Sequence, residues 1–231
     1  MNIGIIGAMD KEIEIIKNNI LKKNIENIHG IDFVSGKIAT HDIILVKSGI
    51  GKVNAAMSTT LLNYHFSTDI VINIGSAGGF DDQLNIGDIV IGSEIRNYDV
   101  DVTAFGYEYG QVPKMPAYFQ SDKKLMTIAQ NCADNFTAHK IVKGLIISGD
   151  SFMNNLLQIN AIKEKFNRIL AAEMEASAIA QVCYLFKVPF IIIRSISDSV
   201  GSDAHITHDL NLELASHNSS TLVLYMLDKL K

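Results

Sequence analysis

The sequence predicts an α/β protein: a single three-layer domain over residues 1–231, with a central, mixed, largely parallel sheet flanked by helices. Three observations predict it. Short runs such as Asn2–Gly7, Asp69–Ile74 and Pro189–Ile193 are apolar almost throughout and rich in β-branched residues, the pattern of strands buried on both faces in parallel sheets. Segments with helical spacing separate them, so strand and helix alternate along the chain. No internal repeat, low-complexity run or linker composition interrupts the 231 residues, and 48% hydrophobic against 19% charged residues supplies one sizeable core and argues against disorder.

Taken in order, Asn2–Gly7 reads as a buried strand, Gly7-Ala8-Met9 as a tight turn, and Asp10–Ile20 as a helix with Ile13, Ile15, Ile16 and Ile20 set between charges. Glu12 falls in the first turn of that helix, where it either complements the helix dipole or aims a carboxylate at whatever sits above the strand ends. Ile31–Ala39 and His41–Ser48 read as paired strands. Gly49-Ile50-Gly51 then opens a helix through His65. A strand, Gly-x-Gly and a helix resemble the dinucleotide fingerprint, but Asn54 replaces the third glycine and Asp69 begins the next strand instead of ending it. A P-loop is excluded as well, because Val46 and Val53 stand where it needs glycine and Ser or Thr.

Asp69–Ile74 is the next strand. It runs into Gly75-Ser76-Ala77-Gly78-Gly79, read as a loop whose N–H groups can face an anion or a sugar hydroxyl. Ile86–Ile95 reads as a strand, and Asp99–Pro116 as a long irregular aromatic loop suited to covering a site or packing on a second subunit. Asp122–Asn135 is read as a helix, Ile141–Ser148 as a strand and Asn155–Phe166 as a helix. Ala171–Ala176 is expected to open a helix through Phe186, with Glu173 and Glu175, two positions apart, pointing to different sides. The Pro189–Ile193 strand climbs into Arg194-Ser195-Ile196-Ser197-Asp198, and ligands of open α/β sheets bind beyond such strand ends. Asp198 there is either a cap or turn former, or a half-desolvated carboxyl able to hold and deliver a proton. Asp209–Leu230 closes the chain as an amphipathic helix.

Composition removes several function classes. The formal net charge is −5, the basic residues are scattered and mostly Lys, and Arg96, Arg168 and Arg194 are the only three arginines, so no basic stripe for nucleic acid exists. Cys132 and Cys183 make neither a disulfide framework nor a metal motif and read as small core hydrophobes. His205-x-x-His208 with Asp203 and Asp209 lacks completing ligands, so no metal is expected. The apolar run Ile3–Met9 has no basic lead and is too short for a signal peptide or membrane span, which predicts a cytoplasmic location and no membrane partner.

Seven separated motifs then occur together and in order. They are Gly4–Met9 with Glu12, Ser48-Gly49-Ile50-Gly51-Lys52-Val53, Asn73–Gly79, Asp101–Tyr107, Ser148-Gly149-Asp150-Ser151-Phe152, Glu173-Met174-Glu175-Ala176 and Arg194-Ser195-Ile196-Ser197-Asp198. With them the chain resembles, over essentially its whole length, the bacterial 5′-methylthioadenosine/S-adenosylhomocysteine nucleosidases of the purine nucleoside phosphorylase superfamily. The resemblance implies hydrolysis of the N-glycosidic bond to adenine and a thioribose, with no cofactor. Carried over, Glu12 would activate water and Asp198 would donate a proton to N7 of the adenine. Glu175 would hold the ribose hydroxyls beside Met174, Phe152 would stack on the base, and the Met153 backbone would read its edge. Ser76, Arg194 and Ser197 would support the sugar and Asp198, while Met9, Ile50, Val102, Phe105, Tyr107 and Pro113 would shape the alkylthio pocket. Part of the Val102–Pro113 loop would come from a partner, implying a homodimer. His208 falls where relatives often place an aromatic, and Ser199–Asp203 differs from them, which bears on tail selectivity.

The chemistry agrees with the resemblance. Breaking an N-glycosidic bond develops positive charge on the sugar and negative charge on the base, and an acid on one side with a base on the other answers both. The rival on the same scaffold is a phosphate-dependent phosphorylase, against which Glu12 and the scarcity of Arg argue. A non-catalytic nucleoside-binding protein would have no use for both Glu12 and Asp198.

Overall fold

The computed structural model describes the backbone at residues 1–201 and 204–230 and the side chains at 1–201 and 209–230. Asp203, His205 and His208 lie outside the described side chains. In chain order the elements are β1 (Asn2–Gly7), α1 (Asp10–Asn19), β2 (Leu21–Ile28), β3 (Ile31–Ile38), β4 (His41–Lys47), α2 (Lys52–Phe66), β5 (Ile70–Gly79), β6 (Ile89–Asn97), β7 (Phe119–Gln120), α3 (Lys123–Gln130), β8 (Ile141–Ser148), α4 (Leu156–Lys163), β9 (Ile169–Glu173), α5 (Ala176–Phe186), β10 (Phe190–Ser199) and α6 (Ala204–Lys229).

Through its centre the sheet is parallel: β4 pairs with β1, β1 with β5 and β5 with β10. Their side chains alternate between two cores, which is why these strands read as unbroken apolar runs. Ile3, Ile5, Ile72, Ile191 and Ile193 pack with Ile13 and Ile16 of α1 and Leu222, Val223 and Met226 of α6. Ile6, Val71, Phe190 and Ile192 pack on the other face with Ala55 and Leu62 of α2 and Ile179, Ala180 and Cys183 of α5. The three layers expected from the sequence are therefore present. The sheet also closes on itself, because β10 pairs with β5 on one side and β6 on the other, and β6, β8 and β9 lead back to β5.

At four places the structure adds to or changes the sequence reading. Leu21–Ile28 forms an exposed edge strand on β3, hidden in the sequence because its polar, charged residues face solvent on both sides. Gly75–Gly79 is strand, not loop: it continues β5 because β10 runs beside it, pairing Gly75 with Arg194 and Ser76 with Ser195. Ile169–Glu173 is strand, so the helix starts at Ala176 and Glu175 is its N-cap residue. Asp198 lies within a strand, as the penultimate residue of β10, and not in a turn.

Candidate active site

Six strand ends and their loops converge on one cavity of about 310 Å³, lined by Ala8, Met9, Glu12, Ile50, Ser76, Ala77, Gly78, Phe152, Ala172, Glu173, Met174, Glu175, Asp198 and Asp209. The size falls within the range that encloses a small ligand. The strand carboxyl ends supply the floor, as the sequence anticipates.

Glu12 sits in the first turn of α1 and is 1% exposed. Its Oε2 accepts the N–H groups of Ala8 (2.8 Å) and Met9 (3.1 Å), the backward reach that closes a capping box. Its Oε1 accepts the Ser76 N–H (2.8 Å) and Oγ–H (3.1 Å). Four donors therefore fix one carboxyl, two from the end of β1 and two from β5. Gly75 makes room for this, since a Cβ there would collide with both the Glu12 carboxylate and the Arg194 guanidinium.

Asp198 is 2% exposed and accepts a 2.6 Å hydrogen bond from Ser197 Oγ on Oδ1. A register shift explains its aim. Ile196 pairs with Ala77 while Asp198 pairs with Gly78, so Ser197 is an extra residue in β10. Such a bulge re-aims the following side chain, and Asp198 turns into the cavity although Ile196 two residues earlier belongs to the core. Gly78 leaves space for Asp198 Oδ2 beside the neighbouring strand.

Arg194, 1% exposed, lies beneath the cavity and does not line it. Its Nη2 donates to Asn73 Oδ1 (2.8 Å), Glu173 Oε2 (2.5 Å) and Glu175 Oε2 (3.4 Å). A guanidinium so desolvated requires this pairing. Glu173 and Glu175 thus share a partner, contrary to the expected divergence, because the chain turns from strand to helix between them. Glu173 Oε2 also accepts the N–H groups of Glu175 (3.0 Å) and Ala176 (2.9 Å), and Ser148 Oγ donates to its Oε1. Glu175 Oε1 accepts the Gly51 N–H at 2.9 Å. Burial first, and the Glu173 charge second, push the Glu175 carboxyl up to about 8, against the pull of Arg194.

Of the residues predicted from sequence, Glu12, Asp198, Ser76, Phe152, Met174, Glu175, Met9 and Ile50 line the cavity. Met153 is buried in the core beside α4, and its carbonyl accepts the Gly201 N–H at 3.2 Å. Ser197 acts from behind Asp198, and Arg194 from behind Glu175. Val102, Phe105, Tyr107 and Pro113 do not line the cavity of their own chain, and Phe105 is 81% exposed. Sequence reasoning assigned no role to Glu173, Asn73 or Asp209. The signal available for the first was two glutamates flanking one methionine in a chain with a single buried-strand arginine.

Comparison with known proteins agrees with this geometry. The family model of the Phosphorylase superfamily matches residues 2–228. The 5′-methylthioadenosine/S-adenosylhomocysteine nucleosidase of Bacillus anthracis is 47% identical over 231 residues, the full length of both chains. The chain belongs to this nucleosidase family. Among solved members, the Neisseria meningitidis nucleosidase in complex with methylthio-immucillin-A superimposes with a TM-score of 0.97 at 41% identity over 99% of each chain. The Colwellia psychrerythraea nucleosidase in complex with adenine gives 0.98 at 44% identity, covering 100% of this chain and 96% of the other.

Proposed function

We propose that the chain hydrolyses the N-glycosidic bond of 5′-methylthioadenosine and S-adenosylhomocysteine, and also of 5′-deoxyadenosine, releasing adenine and the corresponding 5′-substituted ribose in methionine salvage and the recycling of S-adenosylmethionine by-products. One domain over residues 1–231 carries the reaction. Asp198, buried and paired with Ser197, protonates N7 as the bond breaks. Glu12 takes a proton from the attacking water. Glu175 accepts hydrogen bonds from the ribose hydroxyls and faces the cationic sugar of the transition state. Phe152 stacks on the base, while Met9, Ile50 and Met174 give the thioether an apolar, polarisable lining.

One observation decides between water and phosphate as nucleophile. The amides of Ala8, Met9 and Ser76 and the Ser76 hydroxyl form a donor cluster of the type that cradles an anion, and the Glu12 carboxylate already fills it. A phosphate there would meet a carboxylate in place of free donors, whereas neutral water meets a base. Adenine release from methylthioadenosine, assayed in phosphate-free buffer and again with phosphate added, tests the reading. Release independent of phosphate supports it; release only with phosphate, yielding a sugar phosphate, refutes it in favour of a phosphorylase.

The working form is a homodimer in the cytoplasm. Val53, Met57 and Tyr64 form an exposed stripe on α2, and Tyr184, Leu185 and Phe186 are exposed on α5, which packs against it. A second copy covering this face places the Val102–Pro113 loop, with Phe105 and Tyr107, near its partner's cavity. Sedimentation velocity checks the state: a monomer at micromolar concentration would overturn it. Among the described residues no helix is long and apolar enough to cross a membrane.

A further inference from the structure

The start of α2 carries no cap of its own, since its N-cap residue is Gly51. Its first free amides are satisfied by carboxylates from distant loops. Gly51 N–H goes to Glu175, and Lys52 N–H donates to Asp150 Oδ1 at 2.7 Å. Asp150 N–H in turn donates to Asp99 Oδ2 at 3.0 Å, and Lys52 Nζ donates to Asp99 Oδ1 at 2.6 Å. Lys52, Asp150 and Asp99 therefore close a ring that ties together the start of α2 and the loops after β6 and β8. Each loop is otherwise anchored next to the ring: Tyr98 OH donates to the Ser151 carbonyl, and Tyr98 N–H to the Ser148 carbonyl at 2.9 Å. Asp150 lines no part of the cavity, yet it stands two residues from Phe152 and bonds to the neighbour of Gly51, itself next to Ile50.

We propose that Asp150 is a positioning residue for the nucleoside site: by holding the Lys52 amide it sets the Gly51 N–H that orients the Glu175 carboxylate, and with it the Ile50 wall. The inference rests on the nucleosidase reading and extends it beyond the residues that touch substrate. The geometry also says why a carboxylate is used. An acceptor aligned with an open helix start, charge-assisted and braced by Lys52 through Asp99, is stronger and more directional than a hydroxyl cap on the helix itself.

The test is steady-state adenine release from methylthioadenosine by Asp150→Ala, Asp150→Asn and Asp150→Glu, each also made in a Glu175→Ala background. Asp150→Ala is expected to raise KM about tenfold, the loss of one charge-assisted hydrogen bond, with a smaller change in kcat. Asp150→Asn, which keeps the acceptor oxygen, should stay within about threefold of wild type, a conservative rescue. In the Glu175→Ala background the effect of Asp150→Ala should shrink to less than about twofold, because the two residues act through one path. Wild-type kinetics for Asp150→Ala, or an undiminished effect without Glu175, overturns the proposal. If Asp150→Ala does not fold, Asp150→Glu decides by the same two readings, its carboxylate being displaced by one methylene. Wild-type enzyme runs alongside: failure to release adenine there strikes the nucleosidase reading alone, and the affinity of bound methylthioadenosine, by calorimetry, then carries the same comparison.

Discussion

The floor of the cavity is polar and sealed: Glu12, Glu175 and Asp198 are 1%, 5% and 2% exposed, and strand ends or helix starts hold each of them. The rim is apolar and open: Ile50 is 52% exposed, Phe152 is 40% exposed, and Phe105 does not line its own cavity. The floor is overdetermined, with four donors on Glu12 alone, as the proposed proton-moving roles require, since such groups must be placed to a fraction of an ångström. The rim only has to exclude water and accept a thioether, which loosely held apolar side chains do. Reaction and selectivity therefore reside in different material, and substitutions should separate them.

The largest effects belong to the floor. Asp198→Asn removes the proton and keeps the shape, so kcat should fall about 100- to 10,000-fold while an adenine-containing inhibitor still binds. Glu12→Gln should cost a similar factor from the water side, and its melting temperature should drop as well, because the amide NH2 now faces two of the four donors. Near-normal turnover in either variant would remove that role. Glu175→Ala should lower kcat/KM about 100-fold, mostly in kcat, if its charge acts on the sugar cation. A raised KM with unchanged kcat would make it a binding residue instead.

Rim effects should be smaller and lie in KM. Phe105→Ala should raise KM about tenfold with kcat within about threefold, and Val53→Asp, which buries a charge in the expected dimer face, should reproduce that loss while shifting the sedimenting species to monomer. A monomeric Val53→Asp with wild-type KM would show that the loop is not shared.

A last effect, on stability and not on turnover, sharpens the contrast within the floor. In the ligand-free fold, with no cationic sugar beside it, burial and the Glu173 charge raise the Glu175 carboxyl to about 8, far above the range of the unfolded carboxyl. The native state thus holds the extra proton between the two values, and its stability from this group falls as pH rises through that window. The melting temperature of ligand-free wild type should decline from about pH 5 to about pH 8 more steeply than that of Glu175→Gln, by up to about ten degrees. Parallel curves would mean that Arg194 keeps Glu175 ionised throughout.

Much of the floor was legible in the sequence, for a physical reason. Buried parallel strands write themselves as continuous apolar runs, and the polar residues that end them, Glu12, Ser76, Asp198, stand out against that background. What escaped depends on pairing between distant segments. Gly75–Gly79 has almost no side chains and becomes strand only because β10 lies beside it. Glu173 and Glu175 converge on Arg194 only because a strand ends between them. The bulge at Ser197 and the cap that Asp150 lends to α2 leave no local trace, since each is defined by a partner strand or helix roughly a hundred positions away.

The closed ring of β5, β10, β6, β8 and β9 also sets when the enzyme can first work. The hydrogen bond from Arg194 to Asn73 spans 121 positions, and the proposed acid and base, Asp198 and Glu12, sit near opposite ends of the chain. Contacts of such long sequence separation form late, after the entropy of closing the intervening loop has been overcome. A nascent chain still lacking β10 has neither Asp198 in the cavity nor Arg194 beneath Glu175. Activity should therefore appear in one step, with the closing of the barrel, and so report on completed folding more stringently than helix content does.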